Sequence, residues 1–277
     1  IRLQELVGSI GNLSLDLDTT LINDMRHNVN IIVEKPLVTS NIDNLLLKRK
    51  LKKNKKKIIS IYNPPYESHL NQVRNLVNSK SFGKLEYVNI FWSDNKKEIF
   101  SKNKINSFFK TLTENFRYKN NNFDGGILFD SGSHLIAELL WVTKKIPKIV
   151  YATSEKKLKA MNINVTFEFN DSLLANITII GESKNKLRKF ESSYWSGNKK
   201  ITVNGRPEKI IFEDFSKNKF KIYKNFPKIN NPINEITNYI INGTKPRLSI
   251  KTSHDVVSVL NAIQESFFRK KKIKIKY

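Results

Sequence analysis

Two short stretches hold residue types that could do chemistry on an alcohol or carbonyl carbon. Val33-Glu34-Lys35-Pro36 follows Ile31-Ile32, an apolar β-branched run that reads as a strand. A lysine at the carboxyl end of such a strand, where proline stops the chain, points into the crevice where doubly wound sheets bind ligands. Further along, Asp130 and His134 stand four apart in a segment that reads as helix, so both share one face. A carboxylate beside an imidazole fixes its tautomer and raises its basicity, as a general base needs near neutral pH. Gly125, Gly126 and Gly132 around this pair allow backbone to approach a ligand closely. Each piece has a plainer reading on its own: a surface lysine in a lysine-rich chain, and an ordinary contact on a helix surface.

The elements that must position these groups follow from periodicity. Residues 43–53 read as a polar helix, and Ile58, Ile59 and Ile61 as a short strand broken by Asn63-Pro64-Pro65. Leu70, Val73 and Val77 mark a helix over 67–77, closed by Gly83. Leu85 to Trp92 is a strand, and the spacing predicts a helix over 127–142 that ends before Pro147. Ile163, Val165, Phe167 and Phe169 alternate with polar residues, Asn170-Asp171-Ser172 turns, and Ala175, Ile177 and Ile179 answer. That is an antiparallel hairpin with one apolar face, which needs a cover. Short strands follow at 189–195, 200–203, 209–212 and 219–223. Asn231-Pro232 opens a helix that ends at Gly243, and a last helix starts near Ser253. A strand–helix unit thus precedes an α+β domain built on an open, mostly antiparallel sheet.

Composition narrows the function. The absence of cysteine among 277 residues excludes disulfides, thiolate zinc sites and a cysteine nucleophile, and no metal is expected. No apolar run reaches the roughly 18 residues of a membrane-spanning helix, so a soluble, cytoplasmic protein without membrane contact is expected. The net charge of +24, from 49 basic and 25 acidic residues, raises the question of a nucleic-acid partner. The lysines are accompanied by equally over-used asparagine and isoleucine, and the only dense block runs from Lys48 to Lys57. A compositional bias explains the charge better than a polyanion does.

In order along the chain, these pieces resemble the Gfo/Idh/MocA oxidoreductases. Glu34-Lys35-Pro36 is similar to that family's Glu-Lys-Pro signature after a Rossmann strand. Tyr62-Asn63-Pro64-Pro65-Tyr66 stands where the family has an Asn-Arg-Arg-Phe type segment. Asn115-Phe116-Arg117 with Gly125-Gly126 resembles its Trp-Arg…Gly-Gly-Gly approach, and Asp130-Ser131-Gly132-Ser133-His134 its Asp-x-Gly-x-His. The resemblance implies an α/β plus α+β fold, with residues 1–63 the end of an NAD(P)-binding Rossmann domain and residues 64–277 a substrate-binding and oligomerisation domain. It implies an NAD(P)-dependent dehydrogenase of a sugar, sugar derivative or cyclic polyol, with NAD or NADP as cofactor and a homo-oligomer formed through the open sheet.

By position, the resemblance makes His134 the base, Lys35 the group that polarises the reacting oxygen, and Asp130 the residue that orients both. Glu34, Lys35 and Pro36 would touch the cofactor; Tyr66, Arg117, Lys119, Asp130 and His134 would touch substrate. One base, one cationic electrophile and one orienter is also the minimum set for alcohol oxidation on chemical grounds. The alternatives are a non-catalytic ligand-binding or regulatory homologue and a basic nucleic-acid binder. Two departures stand out. Ala137, followed by Glu138, occupies the place of a second aspartate that many members carry. Glu34 also lies so close to residue 1 that two βαβ units of roughly 30 residues each cannot precede it. Gly8 and Gly11 read as incidental, so the chain as given is expected to lack most of its cofactor half and to bind a dinucleotide weakly.

Overall fold

The computed structural model describes residues 30–33, 35–53, 58–95, 126–154, 162–184, 188–205, 208–229 and 231–277. Strands β1 (Ile31–Val33) and β2 (Ile58–Ser60) pair in parallel, Ile31 opposite Ile58, and helix α1 (Asn41–Lys53) connects them. Ser40 begins that helix, its Oγ accepting the Asp43 N–H at 3.1 Å. Leu47 of α1 is buried with Leu37, Val38 and Ile58.

After a 3₁₀ turn at Pro64–Tyr66 and helix α2 (Ser68–Val77), the chain turns at Gly83, whose φ of +93° is one glycine adopts freely. Strand β3 (Leu85–Ser93) then enters a sheet of nine strands. The others are β4 (Ile149–Ser154), β5 (Asn162–Glu168), β6 (Leu174–Ile180), β7 (Lys189–Ser196), β8 (Lys199–Gly205), β9 (Glu208–Asp214), β10 (Lys219–Tyr223) and β11 (Ile273–Lys274). Their spatial order is β10-β9-β8-β7-β3-β6-β5-β4-β11. All neighbours are antiparallel except β3 and β6, so β3, first in sequence, lies at the centre of the sheet.

Helix α4 spans Pro232–Asn242, and the 20-residue helix α5 spans Ile250–Arg269. The latter begins a turn before the expected Ser253, because Ser249 Oγ accepts the Thr252 N–H at 3.3 Å. One difference bears on the site. The helix expected over 127–142 opens with a π turn, Leu128–Gly132, before the regular helix α3 (Ser133–Thr143).

The two faces of the sheet differ. Ile163, Val165, Phe167, Ala175, Ile177 and Ile179 are buried as the hairpin alternation required. Their cover comes from the chain itself: Leu128, Ile163, Ile263 and Phe267 meet around one small crevice between the π turn, the sheet and α5. The outer face mixes polar pairs bonded across strands, Asn164 Nδ2 donating to Thr178 Oγ1 at 3.0 Å and Asn176 Nδ2 to Asn89 Oδ1 at 3.4 Å, with the exposed apolar side chains of Tyr87, Tyr151 and Leu174. The β1–β2 unit docks on α5 through a buried polar joint. Asn44 Nδ2 donates to the His254 carbonyl at 3.1 Å, and Asn44 Oδ1 meets His254 Nδ1 at 2.5 Å. Among the described residues, no helix is long and apolar enough to cross a membrane.

Candidate active site

Lys35 leaves the carboxyl end of β1 just before a cis Lys35–Pro36 peptide. Its Nζ donates to Asp130 Oδ1 at 2.8 Å and to the Asp130 carbonyl at 2.5 Å, across 95 residues of sequence. Both side chains are mostly buried, at 14% and 18% exposure, where such a pair is worth more than on an open surface. Asp130 lies inside the π turn, whose hydrogen-bond ladder is wider than that of an α-helix, and its carbonyl also accepts from Ser133 Oγ at 3.0 Å. Asp130 binds Lys35 rather than hydrogen-bonding the imidazole.

His134 stands on the first turn of α3. Its Nδ1 is buried without a hydrogen-bond partner, which leaves Nε2 as the nitrogen with access. The ring of Tyr62, fully buried, meets it edge-on at 6.2 Å between centroids. Burial first, then the Lys35 cation, push the His134 pKa down to about 4; Asp130 opposes them and Arg188 adds to the lowering. At neutral pH the imidazole is therefore uncharged, and it is a weaker base than the expected pairing with Asp130 implied, because burial and the Lys35 cation outweigh the carboxylate. Gly132 lets this turn press against the sheet: a Cβ there would sit 3.1 Å from Ile179 Cδ1 and from Leu128 Cδ1.

One helical turn beyond His134, Glu138 is buried at 1% exposure and accepts the Tyr194 hydroxyl at 2.7 Å. Desolvation, with Glu67 adding to it, raises the Glu138 pKa to about 8. Burial also raises Glu67, which approaches His69 at 3.4 Å. Pro36 is buried beside Lys35. The Tyr66 hydroxyl lies against Glu235, which pairs with Arg247 at 2.6 Å. Glu34, Arg117 and Lys119 lie outside the described residues. Of the expected site residues, then, the structure gathers Lys35, Pro36, Asp130 and His134. Sequence reading quoted Tyr62 only as part of a segment, without a role at the imidazole, and passed over Tyr194 and Arg188; for Arg188 no local signal exists in so basic a chain.

Residues 70–194 match the family model of the GFO/IDH/MocA C-terminal domain. They are a Gfo/Idh/MocA domain. The match spans β3 to β7 and both Asp130 and His134. No curated protein matches the sequence significantly. Among solved structures, an oxidoreductase domain protein from Kribbella flavida aligns with TM-score 0.76 at 13% identity, over 95% of this chain and 79% of its own. An oxidoreductase from Agrobacterium radiobacter, solved with NAD+, L-tartaric acid and magnesium, aligns with TM-score 0.75 at 11% identity, over 94% and 77%. The WlbA dehydrogenase from Bordetella pertussis, solved with NADH and UDP-GlcNAcA, aligns with TM-score 0.72 at 12% identity, over 95% and 76%. At these identities the likeness is one of fold. The matched residues supply the sheet from β3 through most of β7 and the helix that carries His134, while β1 supplies Lys35.

Proposed function

We propose that the chain is a nicotinamide-dependent oxidoreductase that moves a hydride between NAD or NADP and a hydroxyl-bearing carbon of a sugar, sugar derivative or cyclic polyol. The observation that carries this reading is the Lys35–Asp130 pair, which ties the end of a parallel strand to the helix turn bearing an uncharged His134. In this reading His134 Nε2 takes the proton of the substrate hydroxyl. The Lys35 ammonium, aimed by its two bonds to Asp130, stabilises the negative charge that develops on that oxygen. Tyr62 walls the imidazole against water.

The carboxyl end of the parallel β1–β2 pair, with Lys35 and Pro36, suits the nicotinamide end of the cofactor, because doubly wound sheets bind ligands there. When bound, the nicotinamide is the hydride acceptor. The Gly-rich turn that would hold a pyrophosphate is not among the described residues. Residues 1–63 belong, in this reading, to the NAD(P)-binding domain and 64–277 to the substrate domain, with a homo-oligomer formed through the outer face of the open sheet.

The test is reduction of NAD or NADP over a panel of sugars and cyclic polyols by the purified protein carrying a complete dinucleotide-binding domain. Turnover that disappears in both His134→Asn and Lys35→Met is the expected result. A protein so completed that reduces neither cofactor with any compound of the panel is not the enzyme described.

A further inference from the structure

The inner face of β7 carries an unusual sequence of side chains. Phe190, Ser192 and Tyr194 alternate toward the helices, and Tyr194 reaches Glu138 of α3. The same two-residue step taken backward from Phe190 reaches Arg188. Its position on that face is visible in its packing: the guanidinium carbon lies 5.6 Å from the ring centroid of Trp92, itself 1% exposed on the inner face of β3. A cation is therefore directed to the side of the sheet that faces His134.

The distance to the site can be followed residue by residue. Gly132, two positions before His134, packs on Ile179 of β6. Ile179 is the register partner of Trp92, and Trp92 is the register partner of Phe190. Neighbouring strands lie roughly 5 Å apart, so Arg188 sits over the strand adjacent to the one beneath the Asp130–His134 turn. The response of His134 to the Arg188 charge agrees with that placement.

Arg188 makes no hydrogen bond or ion pair among the described residues. Glu67 feels its charge without closing an ion pair, and its carboxylate faces His69 instead. Lys35, the other cation near His134, is already matched by Asp130. Five donors in a planar fork are thus uncommitted on an aromatic seat. The buried Trp92 Nε1 beside them is a donor without an acceptor. One unmatched cation, planar and forked, suits one planar anion.

We propose that Arg188 binds a carboxylate of the substrate, so that the preferred substrates are acidic sugars of the uronate type rather than neutral sugars. This rests on the oxidoreductase reading and narrows it. A phosphate carries more charge than one guanidinium matches, and is the competing chemistry.

The test reads binding without turnover. The chain has three tryptophans, so the Trp92 indole N–H is assignable by NMR with a Trp92→Phe control. Glucuronate, galacturonate and mannuronate are titrated beside glucose, galactose and mannose, with glucose 6-phosphate as a further arm. At least one uronate should bind tenfold or more tightly than its neutral twin and shift the Trp92 signal. Arg188→Gln should erase that preference, and Arg188→Lys should restore part of it. The proposal is overturned if no uronate outbinds its neutral twin, if the preference survives Arg188→Gln, or if glucose 6-phosphate binds more tightly than every uronate. Any of these leaves hydride transfer to neutral sugars standing. A uronate bound through Arg188 but never oxidised would sink the oxidoreductase reading and the assignment of uronates as substrates, leaving Arg188 only as a carboxylate-binding subsite.

Discussion

Lys35 and Asp130 are joined twice, once through the carboxylate at 2.8 Å and once through the backbone carbonyl at 2.5 Å. The second bond makes the lysine position depend on the shape of the π turn as well as on the aspartate side chain.

Asp130→Asn keeps the carbonyl bond and loses the charge, whereas Lys35→Met loses both bonds. Turnover should fall in both, by about 10² or more for Lys35→Met. Stability should fall by about 2 kcal/mol in Lys35→Met, since a partly buried carboxylate is left unpaired. Urea titration of the two variants reads the difference. Equal stability of Lys35→Met and the parent would mean that the pair does not hold β1 to the helix.

His134 and His254 are both held down to about 4, from an ordinary 6.5. Burial is the leading cause in each. The unfolded chain takes up these protons below pH 6.5 while the folded chain refuses them until about 4. Their contribution to stability is therefore complete above pH 6.5 and drains away as pH falls toward 4. Denaturation midpoints measured across that window should drop, and His254→Gln should flatten part of the drop. The acid limb of kcat/KM, if His134 is the base, should lie well below the ordinary imidazole range.

Glu138 behaves in the opposite sense. Its folded pKa of about 8 stands above the ordinary 4.5, so the folded state keeps a proton that the unfolded state releases. Stability from this group is full below pH 4.5 and is lost as pH rises through 8. Glu138→Gln should become the more stable protein above pH 8, with little advantage at pH 5. A variant whose midpoint tracks the parent at every pH would show that Glu138 does not hold its proton.

Gly132→Ala places a methyl 3.1 Å from the tips of Ile179 and Leu128. Both tips can give way, so the expected cost is about 1 kcal/mol. The Asp130 turn should shift with it and turnover should drop. Adding Ile179→Val removes one of the two opposing methyl groups and should restore both, which separates crowding from any other effect of alanine.

Local pattern made the hairpin, α2, α4 and the burial of Ile163, Val165 and Phe167 readable, because a two- or three-to-four-residue period reports which face is dry. It could not report strand order. The β3–β6 pairing joins residues some 87 apart, Tyr87 to Leu174, and leaves no mark in either strand. Lys35, Asp130 and His134 were visible as motifs, yet their wiring was not. The four-residue spacing implies that Asp130 serves His134, whereas in the structure Asp130, inside the π turn, binds Lys35. Arg188 was invisible for a different reason: in a chain with 49 basic residues, one more arginine before a strand looks like every other.

The central place of β3 also sets a schedule for synthesis. Both of its edges wait for strands made much later, β6 and then β7. With roughly 80 residues between Ser93 and Leu174, and translation at about 5–20 residues per second, β3 stays unpaired for about 4–16 s after it is made. During that time Leu85, Val88, Ile90 and Trp92, all later buried, have no sheet to enter. The strand that organises the finished sheet is thus the segment of the nascent chain most in need of shelter.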